Sequence, residues 1–230
     1  MRKHIGIVAV SPEGSALCYR KIGRRASQIT DPARRPAITL HNLPFASYLE
    51  AIRRDDWQTV GTMLRWSAET LSAAGVDFCI LPDNAAHHAI HFAESGSPLP
   101  WIHMTELVAD AVQRDGRKTM GIIGTKLVMN GSAYQSVLGM KGVILLTPDE
   151  SDADAINRII FGELVEGRVE ASSRRSLVDA ICRLADRGCE GVILGSTETP
   201  LIVGRDQSPI PTYDPVELLV DEAMRRAMAD

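Results

Sequence analysis

Two loops of small polar residues hold the side chains that could carry out acid–base chemistry. One loop ends the segment 78–85 and the other ends the segment 191–198, and in both segments an apolar, strand-like run comes first. Ligands of open α/β sheets bind outside the carboxyl ends of the strands, so the repeated pattern predicts two half-sites that face one cleft. Asp83 and Ser196 would then face each other across a substrate.

An aspartate and a serine restrict the chemistry that this pair can perform. Aspartate has an ordinary pKa of about 3.9 and is a weak base unless burial raises that pKa. A serine hydroxyl acts as a nucleophile only when another group takes its proton. Removal of a proton from an ordinary α-amino acid is therefore expected to be slow. A more acidic carbon, or one proton transfer on one face, fits Asp83 and Ser196 better.

Length and composition describe an ordinary globular protein. The chain has 230 residues, of which 45% are hydrophobic and 23% are charged, and its formal net charge is −4. This weakly acidic balance gives no electrostatic reason to expect nucleic acid or an anionic membrane as a partner. No apolar run in the sequence approaches the length that is needed to cross a bilayer.

The N-terminal residues and the cysteines predict a cytoplasmic protein. The first strand-like run, 5–10, is too short for a signal peptide and lacks a cleavage-site pattern. A reducing compartment disfavours disulfides, and we expect each cysteine to pack as a small buried apolar residue. The four cysteines, which show no paired metal-ligand spacing, are Cys18, Cys79, Cys182 and Cys189.

The sequence predicts neither a metal site nor a bound cofactor. His87 and His91 have the spacing of zinc ligands on one helix face, but no second motif or carboxylate beyond Asp83 accompanies them. Residues 121–126 lack the Gly-Lys-Ser/Thr ending of a phosphate loop. Gly6 is not part of a Gly-x-Gly-x-x-Gly fingerprint, so no dinucleotide is expected.

Strand-like and helix-like segments alternate along the chain, which is typical of βα units around a mostly parallel sheet. Strands that are apolar throughout are expected to be covered on both faces. The predicted strands are 4–10, 38–43, 78–81, 120–123, 143–146 and 192–194. The predicted helices have apolar faces at positions 57, 60, 64, 68 and 71, at 156, 159, 160 and 164, and at 177, 181 and 184.

Prolines mark a boundary between two α/β domains. Pro98 and Pro100 interrupt the pattern before a new helix opens at Thr105. Further prolines precede a final helix, 216–228, which we expect to pack on the first domain. The predicted N-terminal domain is 1–100 plus 209–230, and the predicted C-terminal domain is 101–208.

The chain resembles the aspartate/glutamate racemase family of cofactor-independent amino-acid racemases. That family is usually marked by Pro-Cys-Asn-Thr-Ala-His in its first half and by Gly-Cys-Thr-Glu in its second. The matching stretches here are Pro82-Asp83-Asn84-Ala85-Ala86-His87 and Gly195-Ser196-Thr197-Glu198. Further matches are Ser11, Glu13, Tyr19, Arg20, Gly124, Thr125, Met129, Tyr134, Ile156, Asn157, Ile160, Glu163, Leu164 and Gly167.

The resemblance implies two similar Rossmann-like domains with parallel sheets, related by pseudo-two-fold symmetry, and an active site in the interdomain cleft. It implies proton transfer at the carbon alpha to a carboxylate of a small amino acid or dicarboxylic amino acid, without pyridoxal phosphate or another cofactor, in a homodimer. Members that racemise amino acids use two thiols, one on each face of the Cα. Asp83 and Ser196 replace both thiols here, and none of the four cysteines falls on a motif position.

The neighbours of this pair are predicted to bind the substrate. Helix N-termini at strand-to-helix turns favour a carboxylate, although any one residue there could simply cap its helix. Ala85 replaces a family threonine and so lacks a hydroxyl donor, while Glu198 either holds a partner in the catalytic loop or caps the next turn. The predicted substrate-binding residues are Ser11, Asn84, Ala85, Thr125, Thr197 and Glu198. The candidate cations for a second carboxylate are Arg53, Arg54, Lys126 and Arg168.

Three interpretations of the pair remain open. Asp83 could be the sole general base of an isomerase, with Ser196 donating a hydrogen bond or relaying a proton through water. Asp83 could instead activate Ser196 or a water for attack on a carbonyl, as in a hydrolase or lyase. Ser196 could also be an introduced replacement for a cysteine. The alternative functions are a lyase, decarboxylase or hydrolase for a related small acid, and a catalytically silent protein that binds such an acid.

Overall fold

The structure is a computed structural model that describes residues 2–229. Within this range no helix is both long enough and apolar enough to span a membrane. The strands are β1 (Ile5–Ala9), β2 (Ile38–Asn42), β3 (Phe78–Ile80), β4 (Trp101–Ile102), β5 (Thr119–Gly124), β6 (Ile144–Leu146), β7 (Val192–Gly195) and β8 (Thr212–Tyr213). The α-helices are α1 (Pro12–Ser27), α2 (Phe45–Arg53), α3 (Trp57–Ala73), α4 (Ile90–Glu94), α5 (Met104–Arg114), α6 (Lys126–Met129), α7 (Ser132–Met140), α8 (Glu150–Gly162), α9 (Ala171–Asp186) and α10 (Pro215–Met228). Short 3₁₀ helices lie at Pro32–Arg34, Ala86–Ala89, Leu164–Glu166, Thr199–Leu201 and Arg205–Gln207.

The strands form two four-stranded sheets whose pairings are parallel and whose strand order matches. The first sheet has the order β2-β1-β3-β4 and the second has the order β6-β5-β7-β8. Ile7 lies opposite Ile80 in the first sheet, and Ile122 lies opposite Ile193 in the second. These sheets and the helices that follow their strands confirm the predicted α/β class with two similar Rossmann-like domains.

The chain divides into two compact units, one made of Met1–Met104 and Val216–Asp230 and the other of Thr105–Pro215. The predicted boundaries were residues 100 and 208. The first unit extends further because β4 pairs with β3, and the second extends further because β8 pairs with β7. Helix α10 belongs to the first unit, where Glu217 accepts hydrogen bonds from Lys21 and Arg25 of α1.

Helix α3 supplies one side of the core of the first unit. Asp56 caps its N-terminus by accepting a hydrogen bond from the backbone N–H of Thr59 at 3.0 Å. Spacings of three and four residues align the apolar side chains on one helix face, and all of them are buried in the same cluster as residues of β1 and β3. This face consists of Val60, Leu64, Ala68 and Leu71.

Helices α8 and α9 supply one side of the core of the second unit. Asp149 caps α8 by accepting a hydrogen bond from the N–H of Asp152 at 3.0 Å. Arg183 of α9 then binds Asp152 through two hydrogen bonds of 2.6 Å, which join the two helices. The apolar residues that the two helices bury beside β5 and β7 are Ile156, Ile159, Ile160, Leu177, Ile181 and Leu184.

Glycines in the central strands allow close packing above each sheet. A Cβ at Gly6 of β1 would lie 2.6 Å from Cγ1 of Val76, and a Cβ at Gly121 of β5 would lie 2.9 Å from Cδ1 of Leu184. Both distances are shorter than a carbon–carbon contact allows, so a side chain at either position would displace its neighbours.

The expectation that every predicted strand is covered on both faces is wrong for two of them. Leu40 of β2 is 39% exposed and Ile144 of β6 is 60% exposed. Both strands lie at the edge of their sheets, where each pairs with only one neighbouring strand. Strands β1 and β7 occupy interior positions and are buried along their whole length. Strands β4 and β8 were not predicted.

Candidate active site

In the first unit, the predicted site residues lie in loops at the carboxyl ends of β1 and β3. These neighbouring strands run parallel, so both ends lie at the same edge of the sheet. Ser11 follows β1, and its hydroxyl accepts a hydrogen bond from the N–H of Gly14 at 3.1 Å, which caps α1. Asn84 and Ala85 follow β3; Asn84 is buried and Ala85 is half-buried. The structure thus gathers these residues at one edge and shows a capping contact for Ser11.

Asp83 is held at the end of β3 by the turn that follows it. Its carboxylate oxygen Oδ1 accepts a hydrogen bond of 2.9 Å from the N–H of Ala86, where the 3₁₀ helix Ala86–Ala89 begins. The side chain is half-buried. A carboxylate that is bonded to the start of a helix keeps a defined orientation, which acid–base chemistry requires.

His87 anchors the same turn to the beginning of α5. Its Nε2 lies 3.1 Å from the backbone nitrogen of Met104, and its Nδ1 lies 2.7 Å from the carbonyl oxygen of Asp83. A backbone N–H can only donate, so Nε2 accepts and Nδ1 carries the proton that is donated to Asp83. Burial lowers the pKa of His87 to about 4. The ring is therefore a neutral clamp that fixes the backbone of Asp83.

Tyr48 is a neighbour of Asp83 that no sequence motif indicated. It lies on α2 and is fully buried. Burial raises the pKa of Tyr48 to about 12, a nearby hydroxyl of Ser67 acts in the opposite direction, and the negative charge of Asp83 raises the pKa further. Asp83 therefore has a neutral phenol in its electrostatic environment. In the sequence, an aromatic residue on an apolar helix face is indistinguishable from an ordinary core residue. The sequence therefore contains no signal that Tyr48 is a neighbour of Asp83.

In the second unit, the predicted site residues lie at the carboxyl ends of β5 and β7. Gly124 and Gly195 are register partners at these ends. Thr125 follows β5 and caps α6, with its hydroxyl accepting a hydrogen bond from the N–H of Val128 at 3.4 Å. Ser196, Thr197 and Glu198 follow β7, and all three are buried.

Ser196 and Glu198 form a hydrogen-bonded pair inside the second loop. The hydroxyl of Ser196 donates to Oε2 of Glu198 at 2.8 Å, and the backbone N–H of Glu198 points back to the Ser196 oxygen at 3.4 Å. Ser196 is 5% exposed and Glu198 is 7% exposed. The Glu198 side chain therefore contacts another residue of its own loop and makes no capping hydrogen bond to the 3₁₀ helix that follows.

Two glycines let this loop approach β5 closely. A Cβ added to Gly124 would lie 2.6 Å from the carbonyl oxygen and 2.9 Å from the carbonyl carbon of Gly195. Both contacts are with backbone atoms, which cannot move away by rotating a side chain. The position of Ser196, the next residue, therefore depends on the absence of a side chain at Gly124.

Most of the candidate cations for a second substrate carboxylate already have an acidic partner. Arg54 lies 3.2 Å from Glu50, Lys126 lies 2.5 Å from Asp154, and Arg168 lies 2.8 Å from Glu166. Arg53 is exposed on α2. The structure therefore selects none of the four as a ready carboxylate partner.

None of the four cysteines lies in the two loops that hold Asp83 and Ser196. Cys18, Cys79 and Cys189 are buried and Cys182 is half-buried. Burial raises the pKa of the Cys79 thiol to about 12, so this thiol is not a base near neutral pH. Among residues 2–229, no group of three or more His, Cys, Asp or Glu side chains is arranged to hold a metal ion.

Comparison with known families identifies the family to which the chain belongs. The sequence pattern of the Asp/Glu/Hydantoin racemase family matches residues 7–223. The chain belongs to this family. It is therefore an enzyme of the amino-acid racemase type.

Known relatives agree with the family and with the fold. The broad specificity amino-acid racemase RacX of Bacillus subtilis (strain 168) is 23% identical over 181 residues, which cover 78% of this chain and 76% of RacX. A Yersinia pestis structure, provisionally described as an Asp/Glu racemase, is 28% identical with a TM-score of 0.89 and covers 99% of this chain and 100% of its own. An aspartate racemase homologue from Pyrococcus horikoshii OT3 has the same fold, with 24% identity, a TM-score of 0.86 and coverage of 99% and 100%.

Proposed function

We propose that this protein is a cofactor-independent isomerase that transfers a proton at the carbon next to the carboxylate of a small amino acid. The supporting observation is the matching placement of Asp83 and Ser196. In the first sheet, Cys79 pairs with Gly6 of β1, and Asp83 lies four positions after Cys79. In the second sheet, Val192 pairs with Gly121 of β5, and Ser196 lies four positions after Val192. Equivalent strand ends thus carry the two groups that the resemblance assigns to the positions of the family's cysteines.

In this proposal each loop serves one face of the substrate carbon. Asp83 exchanges a proton on one face and Ser196 takes part on the other. Backbone N–H groups at the adjacent helix starts, together with Asn84 and Thr197, would hold the carboxylate and stabilise the enolate-like charge that forms when the proton leaves. Ser11 and Thr125 would complete this cradle from the neighbouring strand ends.

The substrate side chain is less strongly specified than the carboxylate end. Three of the four candidate cations are already paired with carboxylates, so the structure gives little support for a second substrate carboxylate. Ala85 adds no hydroxyl donor. The relative RacX has broad specificity. We therefore propose testing neutral amino acids beside aspartate and glutamate.

The test is proton NMR in deuterium oxide with both enantiomers of each amino acid. Loss of the Cα proton signal in the presence of the protein, and loss of that activity in Asp83→Asn and Ser196→Ala, would support the proposal. Ser196→Cys distinguishes a natural serine from a replaced cysteine, because activity that appears only with the thiol means that the serine form is disabled.

The other function classes predict different results in the same samples. Release of carbon dioxide or cleavage of the acid would indicate a lyase, decarboxylase or hydrolase. Tight binding without exchange would indicate a silent binding protein. Either result would contradict the isomerase proposal. The homodimer and the cytoplasmic location stay predictions, and sedimentation of the purified protein tests the first.

A further inference from the structure

We propose that Glu198 is the proton acceptor behind Ser196, so that the serine relays a proton between the substrate carbon and a buried carboxylate. This inference rests on the proposed function and explains how a serine can replace a thiol. The carrying observation is the 2.8 Å hydrogen bond from the Ser196 hydroxyl to Oε2 of Glu198. Glu198 acts through Ser196 and need not touch the substrate.

The direction of this hydrogen bond defines what Ser196 can do. A hydroxyl has one hydrogen and two acceptor lone pairs. Because the hydrogen of Ser196 points at Glu198, an oxygen lone pair is the part of the group that can receive a further proton. A serine cannot keep two protons, so it needs a base that accepts its own proton at the same moment. Glu198 is placed to be that base.

Burial strengthens the coupling between the two groups. Ser196 and Glu198 are 5% and 7% exposed, so little water competes for their hydrogen bond. Hydrogen bonds to a carboxylate are about twice as strong as those between neutral groups. The backbone N–H of Glu198, 3.4 Å from the Ser196 oxygen, also ties the two residues into one short turn.

The proposed step conserves protons and electron pairs. The Cα–H bond breaks and its proton passes to Oγ of Ser196, while the Ser196 O–H bond breaks and that proton passes to Oε2 of Glu198. The electron pair of the C–H bond stays on the substrate as an enolate-like carbanion. In this direction Asp83 starts in its protonated form and gives that proton to the opposite face, where the electron pair forms the new C–H bond; in the reverse direction it starts as the carboxylate to which the Ala86 N–H donates. Asp83 ends ionised and Glu198 ends protonated, and the other enantiomer reacts in the reverse direction.

The first arm of the test measures the reactivity of Ser196 without any substrate. Methanesulfonyl fluoride is a small reagent that modifies activated serines: the Ser Oγ–S bond forms, the S–F bond breaks, fluoride leaves and the hydroxyl proton passes to Glu198. We expect peptide mass analysis to locate the modification at Ser196. Glu198→Gln, which keeps the shape and can still accept the hydrogen bond, should slow the modification about 100-fold, within the range of general-base catalysis.

A matched control exists in the same unit. Glu163 accepts a hydrogen bond of 2.9 Å from the hydroxyl of Ser173, so Glu163→Gln makes the same change in another serine–glutamate pair. This variant should leave the modification rate of Ser196 unchanged. Ser196→Cys, treated with iodoacetamide, shows whether small reagents reach the position. Glu198→Asp keeps a carboxylate and should recover part of the rate that Glu198→Gln loses.

The second arm uses deuterium exchange at Cα. Glu198→Gln should slow exchange about 100-fold when residue 196 is serine and by much less in Ser196→Cys, because a thiol can ionise without a partner base. Modification that depends on Glu198, without exchange on any acid, would support Glu198 as the base behind Ser196 and contradict the proposed function. Exchange that is insensitive to Glu198→Gln would overturn the relay and leave the function standing. An accessible Ser196 that resists the reagent would also overturn the relay.

Discussion

Replacement of Gly124 by alanine tests whether the backbone contact between β5 and the second loop positions Ser196. The new Cβ would lie 2.6 Å from the carbonyl oxygen of Gly195, whereas ordinary contacts begin near 3.4 Å. The loop must therefore move by about 0.8 Å, and a misplacement of about 1 Å can reduce catalysis about 100-fold. Overpacking of this kind also costs about 1–3 kcal/mol of unfolding free energy.

The assay compares Gly124→Ala with Gly139→Ala by urea unfolding and by the rate of Ser196 modification. Gly139 lies in α7 of the same unit, and a Cβ there would meet no atom within 4 Å. Gly139→Ala should leave the modification rate unchanged and should stabilise the protein by about 0.4–1 kcal/mol. The reasoning is refuted if Gly124→Ala unfolds at the same urea concentration as the wild type and retains its Ser196 reactivity.

Two further predictions concern the first unit and the thiols. In the unfolded chain, His87 binds a proton below its ordinary pKa of about 6.5, whereas burial lowers its pKa to about 4 in the native state. Because the unfolded state then binds more protons, the free energy of unfolding should fall by about 3 kcal/mol as the pH drops from 6.5 to 4. Urea unfolding across this range should show that slope, and His87→Gln should remove this share of it; an unchanged slope would contradict the assignment. Iodoacetamide should modify half-buried Cys182 before buried Cys79, as checked by peptide mass, without loss of Cα exchange. Inactivation that follows Cys182 modification would contradict the proposal that Asp83 and Ser196, and no thiol, transfer the proton.

The central part of the fold could be predicted because its strands are continuous apolar runs. β1, β3, β5 and β7 stand out from the helices between them for this reason. β4 and β8 have two residues each, and only their pairing with β3 and β7 defines them as strands. Exposure of β2 and β6 could not be predicted either, because an apolar run does not show whether its strand lies at an edge.

In the candidate site too, short sequence patterns predicted some residues, whereas other contacts could be seen only in the tertiary structure. Asp83 and Ser196 were found because each ends a repeated strand-and-loop pattern. The influence of Asp83 on Tyr48 joins residues that are distant in the chain, and the contact between Gly124 and Gly195 arises from strand pairing. No short pattern encodes either of these. Glu198 lies within the motif, yet its partner depends on a side-chain torsion that the motif leaves open.

The sequence by itself determined the two α/β units and the types of side chain at the ends of their strands, because hydrophobic periodicity and turn residues act over short distances. The tertiary structure decided which groups exchange hydrogen bonds. Such bonds require donor and acceptor atoms within about 3 Å and a defined geometry, which packing alone provides. In this protein, the sequence alone shows no base for Ser196, whereas the tertiary structure shows that its hydroxyl donates a hydrogen bond to Glu198.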